Sequence, residues 1–429
     1  MLNDLPETLD ETFVRTLLGI DEEKREHAQQ LFRCLTVSIR PLRVEELAEM
    51  FAIRFNNTGP PTFNAAWRPE NTEDAVISAC SSLINIVDRE GSRIIQFSHF
   101  TVKQFLTSDR LAESEECLSY YHILPEPAHT LLAHACLSIL LQLDDKIDRD
   151  TIADFPLAAY AARHWIDHAQ FGNASVHLEE TMACLFDAAR PHFAAWVWLY
   201  DIDRHWIEPM STIHPTRPEA VPLYYAALCG FRGLVEHLIA ADSQDVNRKG
   251  GSHTTPLHAA SVKGHPDVAS LLLKSGADPN SRDDRGRAPL HRVLQGGQIM
   301  MEQLSLDIAR LLVDSRADVN VADDEGWTPL HLSCGHGMLG VSRYLIDCGS
   351  DIVSWDNGGF IPLHLASRYG HIEVARLLLD HGADANIQRD GIWSPLHLAS
   401  ANGHLEMVEL LVEHGARIDV RSMGFVGSL

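Results

Sequence analysis

The second half of the chain repeats itself, and this repetition constrains the fold more than any other feature of the sequence. Three segments align without gaps: TPLHAASVKGHPDVASLLLKSGADPN from Thr255, IPLHLASRYGHIEVARLLLDHGADAN from Ile361 and SPLHLASANGHLEMVELLVEHGARID from Ser394. Degenerate copies begin at Val221, Ala288 and Thr328. A chain with such self-similarity folds as a linear stack of equivalent units, in which each unit packs on its neighbours.

Each copy is anchored by a proline, and the spacings between these prolines are 34, 33, 40, 33 and 33 residues. A preceding Thr or Ser is predicted to cap a first helix whose first turn holds the proline. Leucine pairs give a second helix its apolar stripe, and Gly276, Gly382 and Gly415 can end it in a left-handed conformation. The TPLHxA motif at this period resembles the ankyrin repeat over roughly half of the chain. The anchoring prolines are Pro222, Pro256, Pro289, Pro329, Pro362 and Pro395.

Two irregularities interrupt the array. The spacing of 40 leaves seven extra residues around Gln298 to Ser305, which we expect to form a loop between the two helices of that repeat. A further period of 33 would reach Ser428, but the sequence there reads MGFVGSL. The last repeat is therefore expected to be uncapped, unless the tail covers its apolar face or the natural protein is longer.

The array is rich in histidine, which raises the question of a metal site. His371-Ile-Glu373 and His404-Leu-Glu406 match the H-x-E of zinc deaminases, but no PCxxC follows and both occupy the repeat position of His265. We therefore expect no metal. The histidines that recur with the TPLH motif are predicted to be hydrogen-bonding scaffold residues: His258, His291, His331, His364 and His397.

Candidate partner-binding residues recur at fixed repeat positions. Trp327, Phe360 and Trp393 stand two residues before an anchoring proline, one repeat apart, and are predicted to form an aromatic ladder beside the hairpin tips. The alternative is that aromatic residues are ordinary at this position. Before the glycine turns of the first helices stand Lys263, Tyr369 and Asn402, which we expect to face the same groove. The expected partner is a protein ligand.

The first 110 residues read as several helices followed by a hairpin. Val44, Leu47 and Phe51 give the third helix a buried face, and two β-rich segments, Leu83 to Val87 and Arg93 to Ser98, are joined by a turn with Gly91. Helices followed by a hairpin indicate a winged helix. Its third helix carries three glutamates against one arginine, which disfavours DNA binding: Glu45, Glu46 and Glu49 against Arg43.

Composition excludes other classes of partner. The 429 residues carry a formal net charge of -24, which repels phosphate backbones and anionic membrane surfaces. The eight cysteines form no CxxC pair, and neither a signal peptide nor a membrane span is visible. We therefore expect a cytoplasmic protein that binds neither nucleic acid nor membranes.

Several N-terminal segments carry a family resemblance. LPETLDETF, IRPLRVEELAEMF, SACSSLINIV and FSHFTVKQFL are similar to the winged helix that follows the NACHT ATPase module in fungal STAND proteins, a segment also labelled as resembling the winged helix of GPI inositol-deacylase. The similarity continues through EPAHTLLAHACLSILLQL and FPLAAYAARHWIDHAQ. It implies a mainly α chain with a winged-helix domain at 1-110, a helical connector at 111-208 and about six ankyrin repeats at 220-429. The connector's tryptophans are expected in its core: Trp165, Trp196, Trp198 and Trp206.

The chain departs from the family in its chemistry. It contains no GxxxxGK[ST] phosphate loop and no GxSxG nucleophile elbow, so neither ATPase nor deacylase activity is expected, and no cofactor. The favoured hypothesis is a non-enzymatic protein-interaction module, the sensor half of a STAND-type signalling protein, with a NACHT ATPase supplied in trans or lost. The alternatives are a structural adaptor unrelated to ATPase signalling and a hydrolase acting through scattered His, Asp and Glu residues.

One histidine has a role that only the resemblance supplies. In FSHFTVKQFL, Thr101-x-x-Gln104 is predicted to be a capping box, which places His99 beside a helix N-terminus that favours anions. In STAND proteins the histidine of the similar FxHxSxxEFL stretch contacts the phosphate of the bound nucleotide. The resemblance gives His99 this contact, with Gln104 replacing the acidic residue. Without a phosphate loop the contact is vestigial, and a structural role for His99 is favoured.

Overall fold

The computed structural model describes residues 7–55, 60–89, 91–206, 208–241, 246–295, 302–389 and 393–418. The chain divides into two compact units, Met1–Pro218 and Glu219–Leu429. Helices dominate both units, which confirms the mainly α prediction. None of the described helices is both long and apolar enough to cross a membrane.

The first unit begins with helices and a hairpin. Strand β3 (Ile84–Arg89) pairs antiparallel with β4 (Ser92–Phe97), so that Ile84 lies opposite Phe97, and this confirms the predicted wing. Leu42 extends the pairing, since its carbonyl accepts from the N–H of Ile95 at 2.9 Å. The elements before the wing are α1 (Glu7–Leu18), α2 (Arg25–Val37), α3 (Val44–Ala48), the short pair β1 (Ile53–Arg54) and β2 (Thr62–Phe63), and α4 (Thr72–Cys80).

Two glutamates of the third-helix region lie inside this unit rather than on an acidic surface. The Glu46 carboxylate is fully buried, accepts from Arg40 at 2.6 and 2.8 Å, and accepts the Arg43 N–H at 2.8 Å, which caps α3. Glu49 is bound by the guanidinium of Arg68 at 2.6 and 3.0 Å. Because a buried carboxylate requires a charged partner, these residues are structural ion pairs.

The rest of the first unit is helical. Trp165 and Trp196 are fully buried with ring centroids 5.5 Å apart, and the Trp196 indole donates to the carbonyl of Ala162 at 3.0 Å. Trp198 is buried as predicted, but Trp206 is 65% exposed. The core prediction is wrong for Trp206 because it lies after the last helix of the unit. These helices are α5 (Phe100–Leu106), α6 (Asp109–Ala112), α7 (Glu116–Ser119), α8 (Pro125–Leu140), α9 (Ala158–Ala169), α10 (Ala174–His177), α11 (Glu179–Leu185) and α12 (His192–Leu199).

The second unit is a stack of helix pairs, and each first helix packs on the first helix of the next repeat. Thr255, Thr328 and Ser394 cap first helices as predicted, and Gly276 ends a second helix with φ at +92°. The first helices begin at the anchoring prolines: α13 (Pro222–Cys229), α15 (Pro256–Lys263), α17 (Pro289–Gln295), α19 (Pro329–Gly335), α21 (Pro362–Tyr369) and α23 (Pro395–Ala401). The second helices are α14 (Arg232–Ala241), α16 (Pro266–Lys274), α18 (Glu302–Asp314), α20 (Leu339–Asp347), α22 (Ile372–Asp380) and α24 (Leu405–Glu413).

The seven-residue insertion corrects one prediction. Helix α18 has 13 residues where α16 has 9, so Glu302 to Ser305 extend the second helix at its N-terminus instead of forming a loop. Their polar and apolar residues continue the helical pattern, and Ser305 is buried against the stack. The remainder of the predicted loop, Gln298 to Met301, lies outside the described residues.

Candidate protein-binding face of the repeats

In three of the hairpin turns an aspartate, Asp283, Asp323 or Asp356, fixes the residue that stands two positions before the anchoring proline. Asp323 Oδ1 accepts the N–H of Glu325 at 3.0 Å and that of Trp327 at 2.8 Å, and the Asp323 N–H donates to the Trp327 carbonyl at 2.9 Å. Asp356 holds the N–H of Phe360 at 2.7 Å. Side chains at this position, which we call the display register, therefore start from a rigid backbone.

Neighbouring turns are joined directly. The Asp324 N–H donates to the Arg285 carbonyl and the Asn357 N–H to the Glu325 carbonyl, both at 3.0 Å. Gly326, with φ at +82°, allows this approach, because a Cβ at that position would lie 2.8 Å from the Asn357 nitrogen. The display register thus runs along one continuous edge of the array. In this part of the chain it contains Arg287, Trp327, Phe360 and Trp393.

TPLH histidines tie three display residues, Arg287, Trp327 and Phe360, to the preceding repeat. His258 Nε2 donates to the carbonyl of Arg287 at 3.0 Å, while its Nδ1 is 2.7 Å from Thr255 Oγ1. His291 makes the same bond to Trp327 at 2.9 Å, and His331 to Phe360 at 3.2 Å. Burial lowers the pKa of His258 to about 4, which keeps the ring neutral. The structure confirms these histidines as scaffold.

A second set of histidines also bonds to the preceding repeat. His265 donates to the Leu228 carbonyl at 3.2 Å, His371 to that of Gly335 at 3.0 Å, and His404 to that of Arg368 at 3.0 Å. The histidines of both H-x-E sequences are therefore committed to backbone. Within the described ranges, no group of three His, Cys, Asp or Glu side chains is placed to hold a metal ion.

The three predicted aromatic residues all lie in the display register, but their rings do not contact one another. Each ring packs near the TPLH histidine of its own repeat, with centroids 6.4 Å apart for Trp327 and Trp393 and 5.6 Å for Phe360. Trp393 is 37% exposed, and the other two rings are half-buried. Each ring is thus supported on one side and accessible on the other. This geometry suits contact with a ligand, which stays a prediction.

The other three candidates lie at the ends of first helices. Lys263, Tyr369 and Asn402 are all exposed, at the last residue of α15, the last residue of α21 and the residue after α23. The Arg368 guanidinium lies over the Tyr369 ring at 5.7 Å, and the Asn402 amide donates to the Leu398 carbonyl at 2.8 Å. Their surfaces are accessible, and their role in binding stays a prediction.

A basic cluster in the same register was missed by the reasoning from sequence. Arg287 occupies the display register of the third repeat, and its Nε is 3.1 Å from Asp283 Oδ2. Arg292 reaches the same carboxylate oxygen at 2.6 Å, and Arg287 also donates to Gln295 Oε1 at 3.1 Å. Because Gln295 ends α17, this bond shows that the display register faces the first helices. Comparison of this register across all repeats, rather than of its aromatic members alone, would have found Arg287.

His99 is exposed and serves as the N-cap of α5. Its Nδ1 accepts the Thr101 N–H at 3.3 Å and lies 2.7 Å from Thr101 Oγ1. The predicted capping box is wrong, because α5 begins at Phe100 and Thr101 lies buried inside it. The capping task falls on His99 since its ring nitrogen reaches the first free N–H. This supports the structural role, and the vestigial phosphate contact stays a prediction.

Comparisons with known proteins agree with both units. Three copies of the ankyrin-repeat model match residues 223–323, 299–389 and 359–422, and the model described as "GPI inositol-deacylase, winged helix domain" matches residues 16–118. The chain therefore contains ankyrin repeats and a winged-helix domain of this type.

Among curated proteins, the chain is similar to azaphilone pigments biosynthesis cluster protein L of Monascus ruber, with 31% identity over 65% of this chain and 61% of the relative. The chain thus spans less than two thirds of that protein's length. NF-kappa-B inhibitor alpha of Rattus norvegicus is 39% identical over 14% of this chain and 19% of its own length. Alpha-latrocrustotoxin-Lt1a of Latrodectus tredecimguttatus is 32% identical over 19% of this chain and 6% of its own length. Ankyrin repeats indicate a protein-interaction module.

Proposed function

We propose that this chain is the non-enzymatic sensor half of a STAND-type signalling system. The ankyrin array binds a protein ligand along the display register, and the winged helix restrains a NACHT ATPase supplied in trans or by another part of a longer protein. The proposed site of action is the cytoplasm.

The display register is the observation that carries the proposal. At Arg287, Trp327 and Phe360 its backbone is held by the turn aspartate, by the neighbouring turn and by the histidine of the preceding repeat. Its side chains are Arg, Trp, Phe and Trp, and aromatic residues and arginine dominate the binding energy of protein interfaces. A preorganised row of such side chains binds a ligand with little loss of conformational entropy.

The buried histidines support a non-enzymatic role. His258 and His291 each use both ring nitrogens on the scaffold, and burial lowers the pKa of both. A general base needs a free nitrogen within reach of substrate, and these rings have none to offer. The favoured function is therefore recognition.

Affinity capture with the full chain tests this function. The wild-type chain is expected to retain a protein partner at micromolar concentration. The double variant Trp327→Ala with Phe360→Ala is expected to bind this partner at least about tenfold more weakly. Leu405→Ala, at a 68% exposed position on the second helix of the last repeat, is the matched control and retains the partner. Capture that is absent, or that the double variant leaves unchanged, contradicts the proposal.

The signalling part has its own test. A NACHT ATPase that co-purifies with the winged-helix unit supports the STAND role. Partners that bind only the array, with no ATPase associated, would favour the structural adaptor.

A further inference from the structure

Charge is distributed unevenly along the array, although the whole chain is strongly acidic. In residues 246–295 basic side chains outnumber acidic ones two to one, whereas in 302–389 and 393–418 acidic side chains outnumber basic ones more than two to one. The basic residues of the first stretch are Arg248, Lys249, Lys263, Lys274, Arg282, Arg285, Arg287 and Arg292, and its acidic residues are Asp267, Asp278, Asp283 and Asp284.

Part of this positive charge is built into the display register. Two guanidinium groups, those of Arg287 and Arg292, share the single buried carboxylate of Asp283. One carboxylate neutralises only one of them, so the cluster keeps a net positive charge. Arg292 Nε is buried without a hydrogen-bond partner. Burial and the nearby charge of Arg287 lower the pKa of Arg292, as expected for two like charges held together.

More cations surround this cluster on the adjacent turns. Arg248, Lys249, Arg282 and Arg285 are exposed, and Lys249 Nζ donates to the Arg282 carbonyl at 3.1 Å, which joins the two turns. Among the described residues, Arg248, Arg282 and Arg285 have no carboxylate within 4.0 Å. Their charges are therefore available to an anionic ligand.

We propose that the basic surface formed by Arg248, Lys249, Arg282 and Arg285, next to the positively charged Arg287–Arg292 cluster, binds an acidic, extended segment of the partner protein. This inference rests on the proposed function, because the same segment continues along the display register onto Trp327 and Phe360. Carboxylates of the segment pair with the exposed cations, and its apolar side chains cover the aromatic rings.

The neighbouring turn favours a short acidic peptide over a nucleic acid. Immediately beyond Arg285 in the stack lie Asp323, Asp324 and Glu325, and the remaining repeats are acidic. A phosphate backbone that followed the array would meet this negative surface, whereas a peptide can be acidic at one end only.

The length of the segment follows from the repeat geometry. Packed helices lie about 10 Å apart, so Arg248 and Phe360, which stand three repeats apart at the two ends of the proposed surface, are separated by about 30 Å. An extended chain rises about 3.3 Å per residue, so about nine residues cover this distance. The acidic end lies at the second and third repeats, which gives the bound segment one direction.

Fluorescence anisotropy with labelled peptides tests this inference on the full chain. The probe has about twelve residues, with glutamates in one half and alternating leucine and serine in the other. Its control carries glutamine in place of every glutamate. We expect the glutamate probe to bind at least about tenfold tighter at low salt and to lose this advantage at about 0.5 M salt.

Charge-reversal variants locate the site. The double variant Lys249→Glu with Arg285→Glu is expected to lower the affinity for the glutamate probe by at least about tenfold, and the milder Arg285→Gln is expected to lower it by about threefold. Arg343→Glu, an equally exposed arginine on the second helix α20, leaves affinity unchanged. Unaltered circular dichroism establishes that the variants are folded.

The outcomes separate the two proposals. Equal affinity for glutamate and glutamine probes, with binding still dependent on Trp327, refutes the acidic ligand and leaves the display register as the binding site. Insensitivity to the charge reversals also refutes it. If neither probe binds and affinity capture is also silent, both proposals fail.

Discussion

Mild acidification should loosen the ankyrin array through its TPLH histidines. His258 is fully buried, its Nε2 donates to Arg287 in the next repeat and its Nδ1 contacts Thr255. Protonation would place a positive charge on a ring that is buried away from water. Burial therefore lowers the folded-state pKa from 6.5 to about 4.

The size of the effect follows from these two values. Between pH 6.5 and 4 the unfolded chain binds a proton at this histidine and the folded chain does not, so stability falls as the pH falls through this window. A pH of about 5 lies about 1.5 units below the pKa of this histidine in the unfolded chain, so the free energy of unfolding falls by about 2 kcal/mol. His364, whose pKa burial also lowers to about 4, contributes a similar loss.

Hydrogen exchange can measure this loss locally. The opening free energies of amides in α15 and α21, corrected for the intrinsic pH dependence of exchange, are expected to fall by about 2 kcal/mol or more between pH 7 and pH 5. His258→Gln should be less stable at pH 7 but lose about 2 kcal/mol less on acidification. The control His237→Gln, on the exposed face of α14, should leave the pH dependence unchanged. A pH-independent opening of α15 in the wild type would refute the reasoning.

Three further predictions concern the first unit and the thiols. His99→Ala should lower the free energy of unfolding in urea by about 1 kcal/mol, whereas His99→Asn should keep it near the wild-type value because asparagine is also a good N-cap residue. Equal losses in the two variants would contradict the capping role. Glu46→Gln should lower the free energy of unfolding by about 2 kcal/mol, because Arg40 and Arg43 lose their buried carboxylate partner. The loss is no larger because both arginines remain about 40% exposed to water. The exposed control Glu45→Gln should lower it by less than about 0.5 kcal/mol. An aromatic disulfide reagent should label Cys117 and Cys348 first because both are exposed. Cys34 should react slowly, because burial raises its pKa to about 12. Rapid labelling of Cys34 would show that its helix opens.

The repeat architecture was accessible from sequence because its signals are local and recur. Thr255, Pro256 and Gly276 each act within one helix, and the recurrence of the anchoring proline in all six copies reinforces the assignment. The scaffold role of the histidines followed from this recurrence, although the acceptors of the Nε2 atoms of His258, His291 and His331, carbonyls of the next repeat, are known only from the structure.

Features that depend on contacts across the chain could not be predicted in this way. The third helix was expected to carry three glutamates unfavourable to DNA, but two of them are buried in ion pairs, Glu46 with Arg40 and Glu49 with Arg68 from 19 residues away. Trp206 was expected in the core because aromatic residues usually lie there, but it follows the last helix of its unit and is exposed. The capping of α5 differed by two residues, because a histidine ring can reach as far as a threonine hydroxyl.

The candidate site was predicted in part. The repeat position of Trp327 and Phe360 was predicted from the sequence, but Arg287 at the same position was not, because the prediction considered only aromatic side chains. The shared carboxylate of Asp283 is a contact between a turn and a helix, and it appears only once both are placed. The structure thus turns a predicted aromatic ladder into a display register with a basic end and an aromatic end.

Site-specific photo-crosslinking tests the central claim most directly. A photoreactive phenylalanine analogue is placed at position 327 or 360 of the full chain and, as a control, at position 343 on the second helix α20. The proposed function predicts that positions 327 and 360 crosslink the captured partner protein and that position 343 does not. Crosslinking at position 343 alone, or equally at all three positions, would show that the partner does not bind along the display register.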